Sequence, residues 1–480
     1  MRYGIIHGNN AETGLGNSAG SGASLYSTGN SMHGTFTDGF TPLGSLQTAD
    51  GTINVENGLL QLTGTVGITG TAEVGQTLTA DTGALGGSGI ITYQWKRGST
   101  NTGTNGSTYE VQAADVGSTI TVTVTRAGFT GNVTSAPTET VLVPGNTLAA
   151  QLEWLRGNAQ SGTGYTLVVK ADESLAPQDL PVGKTGLTVS LKGNGKMRTI
   201  TLSVTGSIFT VRSGVTLVLD GNITLQGRTD NYSPLVRVLS QGTLVMNGNT
   251  RITGNYSGDS GLDNYGGGVY NGGTFIMNGG EISGNQALIT GGGGVFNAQL
   301  ASLTMNAGKI LGNSAGSGGG VLNHGTFGMS GGEISDNQAS GSSTGIGGGV
   351  FNSGVFVMGG GEISGNRASG STTSYGGGVN SDGTFVMSGG EISGNKVLGS
   401  DNSYGGGVNV GYNTIFQMSS GVIYGSNGPG NANSAPSGGA IYVGGRAAQH
   451  GTFDDAGAFT PLGNLETSDT TIKVVNGLLQ

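Results

Sequence analysis

Arg251, Glu281, Lys309, Glu333, Glu362 and Glu391 occupy one position of a repeated phrase. Four copies read FIMNGGEISGN (275–285), FGMSGGEISDN (327–337), FVMGGGEISGN (356–366) and FVMSGGEISGN (385–395). Three kinds of chemistry compete for such a row. Glu333, Glu362 and Glu391 could be calcium ligands, two carboxylates could work as general acid and base, or the row could be a solvated charge ladder. Each of these side chains should point outward, because the next residue is an isoleucine that points in. The first four alternate in sign, which allows exposed pairs worth roughly 0.2–1 kcal/mol each. No Asp-x-Asp-x-Asp-Gly loop or GGxGxD nonapeptide accompanies the glutamates. Catalytic helpers are scarce: the histidines are His7, His33, His324 and His450 alone. Arg367 and Lys396 fall on one outward position one repeat apart, where they should neutralise Glu362 and Glu391. The expectation is a charge ladder, a non-enzyme, and no cofactor.

A second group of residues suits binding. The longer repeats carry SGSSTGI (340–346), SGSTTSY (369–375) and LGSDNSY (398–404) ahead of a GGGV tetrapeptide. Tyr375 and Tyr404 are equivalent and should stack on neighbouring coils, and Tyr265 recurs at least two coils away. Exposed tyrosine among Ser, Thr, Asn and Asp suits contact with carbohydrate or protein. The alternative is that these rings only cover the glycine strand.

What must position these residues is an array. The 480-residue chain contains 100 glycines, 9 prolines, no cysteine and only 10 % charged residues. That excludes collagen, disulfides and thiolate chemistry, and 34 % hydrophobic residues argue against simple disorder. A net charge of −9 leaves no basic surface for nucleic acid. The opening Met1-Arg2-Tyr3-Gly4 does not read as a signal peptide, and no stretch nears 18 apolar residues, so neither an export signal nor a membrane span is expected.

GGGV places valine at 269, 295, 321, 350, 379 and 408, and GGAI places Ile441 in the same role, mostly 26 or 29 residues apart. After each valine come a Phe/Leu-x-Met pair, an isoleucine, and an asparagine at 285, 313, 337, 366 and 395, with Ser426 expected in the last copy. Phe385 and Met387 lie two apart and share one face of a strand, while Val386 points away. One unit buries about four side chains, at roughly 1.5–3 kcal/mol each. That cannot offset on the order of 1–2 kcal/mol of backbone entropy per residue. Stacking of units solves this, with like residues aligned into ladders about 4.7–4.9 Å apart. The fold class expected is all-β, a parallel β-helix with three short strands per coil over 146–480. NTLAAQLEWLRG (146–157) should form a helical cap over the first coil, with Thr147 as N-cap and Gly157 as C′ residue.

Residues 4–61 realign with 421–480: HGTF against HGTF, FTPLG against FTPLG, VENGLLQ against VVNGLLQ. Residues 1–61 therefore read as the end of a preceding β-helix module, and tandem modules of the same protein become expected partners. Residues 62–145 have another grammar, with Ile120, Val122 and Val124 on one strand face and a core-type tryptophan in Tyr93-Gln94-Trp95. They read as an immunoglobulin-like β-sandwich.

The repeats resemble those of polymorphic outer-membrane-protein adhesins, through Gly438-Gly439-Ala440-Ile441, the GGGV copies, and Phe275-Ile276-Met277-Asn278. Other coils depart from the second motif with Ser or Gly after the methionine. Residues 70–143 look like a bacterial Ig-like domain centred on Tyr93-Gln94-Trp95-Lys96. The resemblance implies a right-handed β-helix and a repetitive, adhesin-like protein at the bacterial cell surface. Its partner would be a host or matrix protein or a surface glycan, and no catalytic residue is carried over. A purely structural stalk or surface-layer component is the alternative, and a polysaccharide lyase or hydrolase the third reading.

Overall fold

The computed structural model describes residues 4–6, 32–36, 40–45, 53–181, 183–258, 265–288, 291–399, 402–412, 414–427, 430–445 and 448–480. The chain divides into two compact units, Met1–Pro144 and Gly145–Gln480.

In the first unit, Gly67–Thr69, Thr77–Asp81 and Thr108–Glu110 form a three-stranded antiparallel sheet. Ile91–Arg97, Thr100–Thr102, Ile120–Arg126 and Val133–Thr134 form a four-stranded one. Alternation buries Ile120, Val122 and Val124 with Leu78 and Trp95. Trp95 of one sheet stacks on Tyr109 of the other at 5.6 Å. The Tyr109 hydroxyl donates to the fully buried Asp115 (2.5 Å). Burial, reinforced by that carboxylate, pushes the phenol up to about 12.

The second unit opens with the helix Leu148–Asn158, capped by Thr147, whose hydroxyl accepts from the Ala150 amide. It runs one residue past the expected Gly157. Leu148, Leu152 and Leu155 are buried beneath it. The Gln151 amide bonds both the N–H and the C=O of Val168, each at 2.9 Å, on the first coil strand, Gly164–Val169. A side chain thus stands where the next coil's backbone would be.

Behind the helix a parallel solenoid of about nine turns is built from a 22-stranded, a ten-stranded and a six-stranded sheet. Three strands per coil were expected, and the coils hold more. A representative coil has Val379–Ser381, Thr384–Met387, Glu391–Ser393 and Lys396–Leu398, and the longer coils add a fifth, such as Thr373–Tyr375. The extra strand follows the asparagine corner, where Ala339, Ala368 and Val397 point inward. The alternation is there in the sequence, but alanine buries too little area to announce a core strand.

Three ladders hold the interior. Phe327, Phe356, Phe385 and Phe416 stack with ring centroids 4.7–4.8 Å apart. Each coil's methionine reaches over a glycine of the next. A Cβ built on Gly390, whose φ is +88°, would lie 2.5 Å from the Met358 methyl. Both the left-handed backbone and the methionine therefore require glycine at that corner. In the asparagine ladder, Asn337 Oδ1 accepts from the Asn313 amide and side chain (2.9 and 3.0 Å), and its Nδ2 donates to the Ile310 carbonyl (2.8 Å). The last ladder position is Asn433 rather than Ser426. Asn433 Oδ1 accepts from Asn395, whereas Ser426 bonds to Asp469 on the closing segment. Loop residues inserted before Asn433 defeat the spacing rule there.

Antiparallel strands close the far end, Ala448–Phe453 with Phe459–Asn464 and Ile472–Val475 with Gly421–Ile423. Strands Met32–Phe36 and Phe40–Ser45 pair in the equivalent register, with the same shift after histidine (His33, His450). Gly4–Ile6 pairs with Ile53–Glu56 as Gly421–Ile423 pairs with Ile472–Val475.

Candidate functional site

The charged row lies on the outer face of the 22-stranded sheet, in register from Arg251 through Glu281, Lys309, Glu333 and Glu362 to Glu391. Two cross-coil pairs form, Arg251–Glu281 at 3.2 Å and Lys309–Glu333 at 2.6 Å. The Lys309 ammonium, with a hydrogen bond from Ser335, holds the Glu333 carboxyl below the usual range. Glu362 and Glu391 continue the register, but the described residues show no ion pair joining them to Arg367 or Lys396. Those cations belong to the six-stranded sheet around the asparagine corner, where they are each other's register partners. Among the described residues, no group of three or more His, Asp or Glu side chains converges as metal ligands would.

His7 and the His33 side chain lie outside the described residues. His450 Nδ1 is 2.8 Å from the Gly477 carbonyl in the closing segment. His324 instead stands in the bend just after the strand Val321–Asn323 of the ten-stranded sheet, hydrogen-bonded to Ser353 Oγ, and burial lowers its pKa.

The tyrosines separate into two clusters. Tyr375 and Tyr404 form a parallel bridge and stack at 5.9 Å. Tyr404 also meets Tyr442 at 4.3 Å, which extends the row to the next coil. Tyr265 occupies the equivalent position several coils earlier and stacks on Phe296 at 5.1 Å.

Phe296 belongs to a row that the sequence reading missed. The residue after each ladder valine points outward, giving Arg237, Tyr270, Phe296, Leu322, Phe351, Asn380, Asn409 and Tyr442 in register. Tyr270 and Phe296 stack at 5.5 Å, and the Arg237 guanidinium lies 5.5 Å from the Tyr270 ring centre. Beside these rings is a groove of about 690 Å³, which Tyr265, Phe351 and His324 also line. The signal was available: between an inward Val and an inward Asn the middle residue must face out, and three of the four consecutive positions Tyr270, Phe296, Leu322 and Phe351 are tyrosine or phenylalanine. Asn271, Asn297, Asn323 and Asn352 form the inward counterpart, a second amide ladder with links of 2.7–2.8 Å.

Comparison with known proteins places the chain in no family: no family model, no curated protein and no solved structure matches it.

Proposed function

We propose that the chain is a non-catalytic, repetitive surface protein of the adhesin type, in which β-helix modules alternate with Ig-like spacers outside a bacterial cell. The observation that carries this reading is the Tyr375–Tyr404–Tyr442 row. The corner asparagines of the solenoid bond to one another from coil to coil without these rings, which lie together on successive coils. Tyrosine presents a large apolar face and a hydroxyl at low entropic cost, which suits contact with a host protein, a matrix protein or a surface glycan. The two antiparallel sheets around Trp95 support the Ig-like assignment of 62–145. The shared hairpin register of 32–45 and 448–464 supports reading 1–61 as the closing segment of a preceding module. The paired charges of the glutamate row favour a solvated ladder over calcium or acid–base chemistry.

A structural stalk is the second reading, favoured by the regularity of the two asparagine ladders. Particles coated with the full chain separate the two. On the adhesin reading they are retained on glycan- or matrix-protein-coated surfaces, and Tyr375→Ala with Tyr404→Ala lowers retention at least several-fold. Retention that this pair of substitutions leaves unchanged would favour the stalk.

A further inference from the structure

The groove beside Phe296 is a second site, distinct from the Tyr375–Tyr404 row. It exists because of two local departures from the repeat. The coils entering Val295 and Val321 are of the 26-residue kind and lack the loop that becomes the strand Thr344–Ile346 in the next coil, so among the described residues no such strand lies over that side of the row, while the Phe296 ring itself is nearly buried among Tyr265, Tyr270 and His324. On the other side, the turn from Asn297 to Leu303 is two residues longer than those from Asn271 to Phe275 and from Asn323 to Phe327. The added residues raise a wall carrying Gln299, which lines the groove.

Leu300, next to Gln299, is 98 % exposed and has a φ of +68°. A leucine in the left-handed region costs roughly 1–2 kcal/mol, and full exposure of an isobutyl group brings no return from burial. Most other corners of this solenoid meet the same backbone requirement with glycine or asparagine, and the exceptions, Gln241 and Asp336, are polar. Strain of this kind persists where the surroundings hold it, and it clusters at ligand sites.

The lining gives the chemistry. Its apolar part is the rings of Tyr265, Tyr270, Phe296 and Phe351 with Leu322 and Ala298, and its polar part is Gln299, Ser317, His324 and Ser353. Among the described residues, no Asp, Glu, Lys or Arg lines it. A charged ligand would lose water there without gaining a counter-charge, and a wholly apolar one would leave amide, imidazole and hydroxyl groups unpaired. A ligand with C–H faces, hydroxyl edges and no charge satisfies both parts. Tyr265 and Tyr270, both on the preceding coil, each stack on Phe296 with centroids 5.1 and 5.5 Å away, a step close to the length of one hexose in a chain, and Leu322 stands between Phe296 and Phe351 in the register. The volume falls within the range of small-molecule sites.

From these observations we infer that the groove between Tyr265 and Phe351 binds a neutral oligosaccharide laid along the coil stack. The inference rests on reading the solenoid as a ligand-displaying array, and it names the ligand class and residues of a site the tyrosine row does not include.

The test is calorimetric titration of the full chain with neutral hexaoses of glucose, mannose and N-acetylglucosamine, beside an acidic hexamer of galacturonate and an apolar hexapeptide. At least one neutral hexaose should saturate the chain, with Phe296→Ala and Tyr270→Ala each weakening it tenfold or more. Gln299→Ala and Ser353→Ala, both at exposed positions, should weaken it by a smaller factor. They keep the test decisive if a ring substitution lowers the melting temperature. Tyr375→Ala with Tyr404→Ala should leave the affinity unchanged. The inference is overturned if no neutral hexaose binds, if these groove variants bind as the native chain does, or if only the acidic hexamer or the peptide binds. Particle adhesion without hexaose binding removes this site and keeps the adhesin reading. Hexaose binding without adhesion does the reverse.

Discussion

Asn337 illustrates how much one side chain carries in a solenoid. It supplies an acceptor to two donors of Asn313 and donors to Ile310 and Asn366, with no exposure to water. Asn337→Ala orphans the Asn313 amide and the Ile310 carbonyl, at about 1–3 kcal/mol for each buried group. Urea unfolding followed by circular dichroism should register that loss, whereas Asn306→Ala, at an exposed position of the strand Ser302–Leu311, should change the midpoint little. The charged row behaves differently because water shares it. Glu333 titrates below the ordinary carboxylate value, so its pairing contributes stability above that value and loses it as pH falls through the lowered one. Lys309→Met should therefore move the Glu333 carboxyl resonance midpoint upward in an NMR titration, and an unmoved midpoint would contradict the pairing. In the other unit Tyr109 is raised, which makes the sign opposite. The stability it contributes is complete below pH 10 and is lost as pH rises toward about 12. Ultraviolet titration should find one tyrosine ionising late, and Tyr109→Phe should remove that phase.

At the scale of elements, the most exposed risk of a solenoid is the unpaired edge of its first coil. Gln151 and the helix around it cover that edge through backbone bonds to Val168. Gln151→Leu keeps the volume but orphans two backbone groups, so it should lower the melting temperature. It should also promote dimers through Gly164–Val169, visible by light scattering. How far the sequence revealed these elements follows from what stacking demands. Phe385, Met387, Ile392 and Asn395 repeat because each must match its neighbour, so the solenoid, its inward residues and the capping helix were legible. The fourth strand was not, since Ala339 and Ala368 bury too little surface to stand out. Asn433 was misplaced because an insertion breaks the spacing by which Ser426 was chosen. The aromatic row at Tyr270 and Phe296 was missed for the opposite reason. Stacking places no demand on outward residues, so their identities vary along the array and no repeated phrase marks them.

For the whole molecule, the division of labour between faces is the main consequence. The 22-stranded sheet presents paired charges outward, and the ten-stranded sheet and its loops present rings. If the array displays a ligand surface, the ligand should contact the second set and leave the first in water. Hydrogen–deuterium exchange of the full chain, free and bound to the surface that retains it, reads this directly without altering a residue. The account predicts slowed exchange in the loops and strands at 369–380 and 402–412, with 333–335, 362–364 and 391–393 unchanged. Protection confined to the glutamate strands, or no protection on either face, would contradict it.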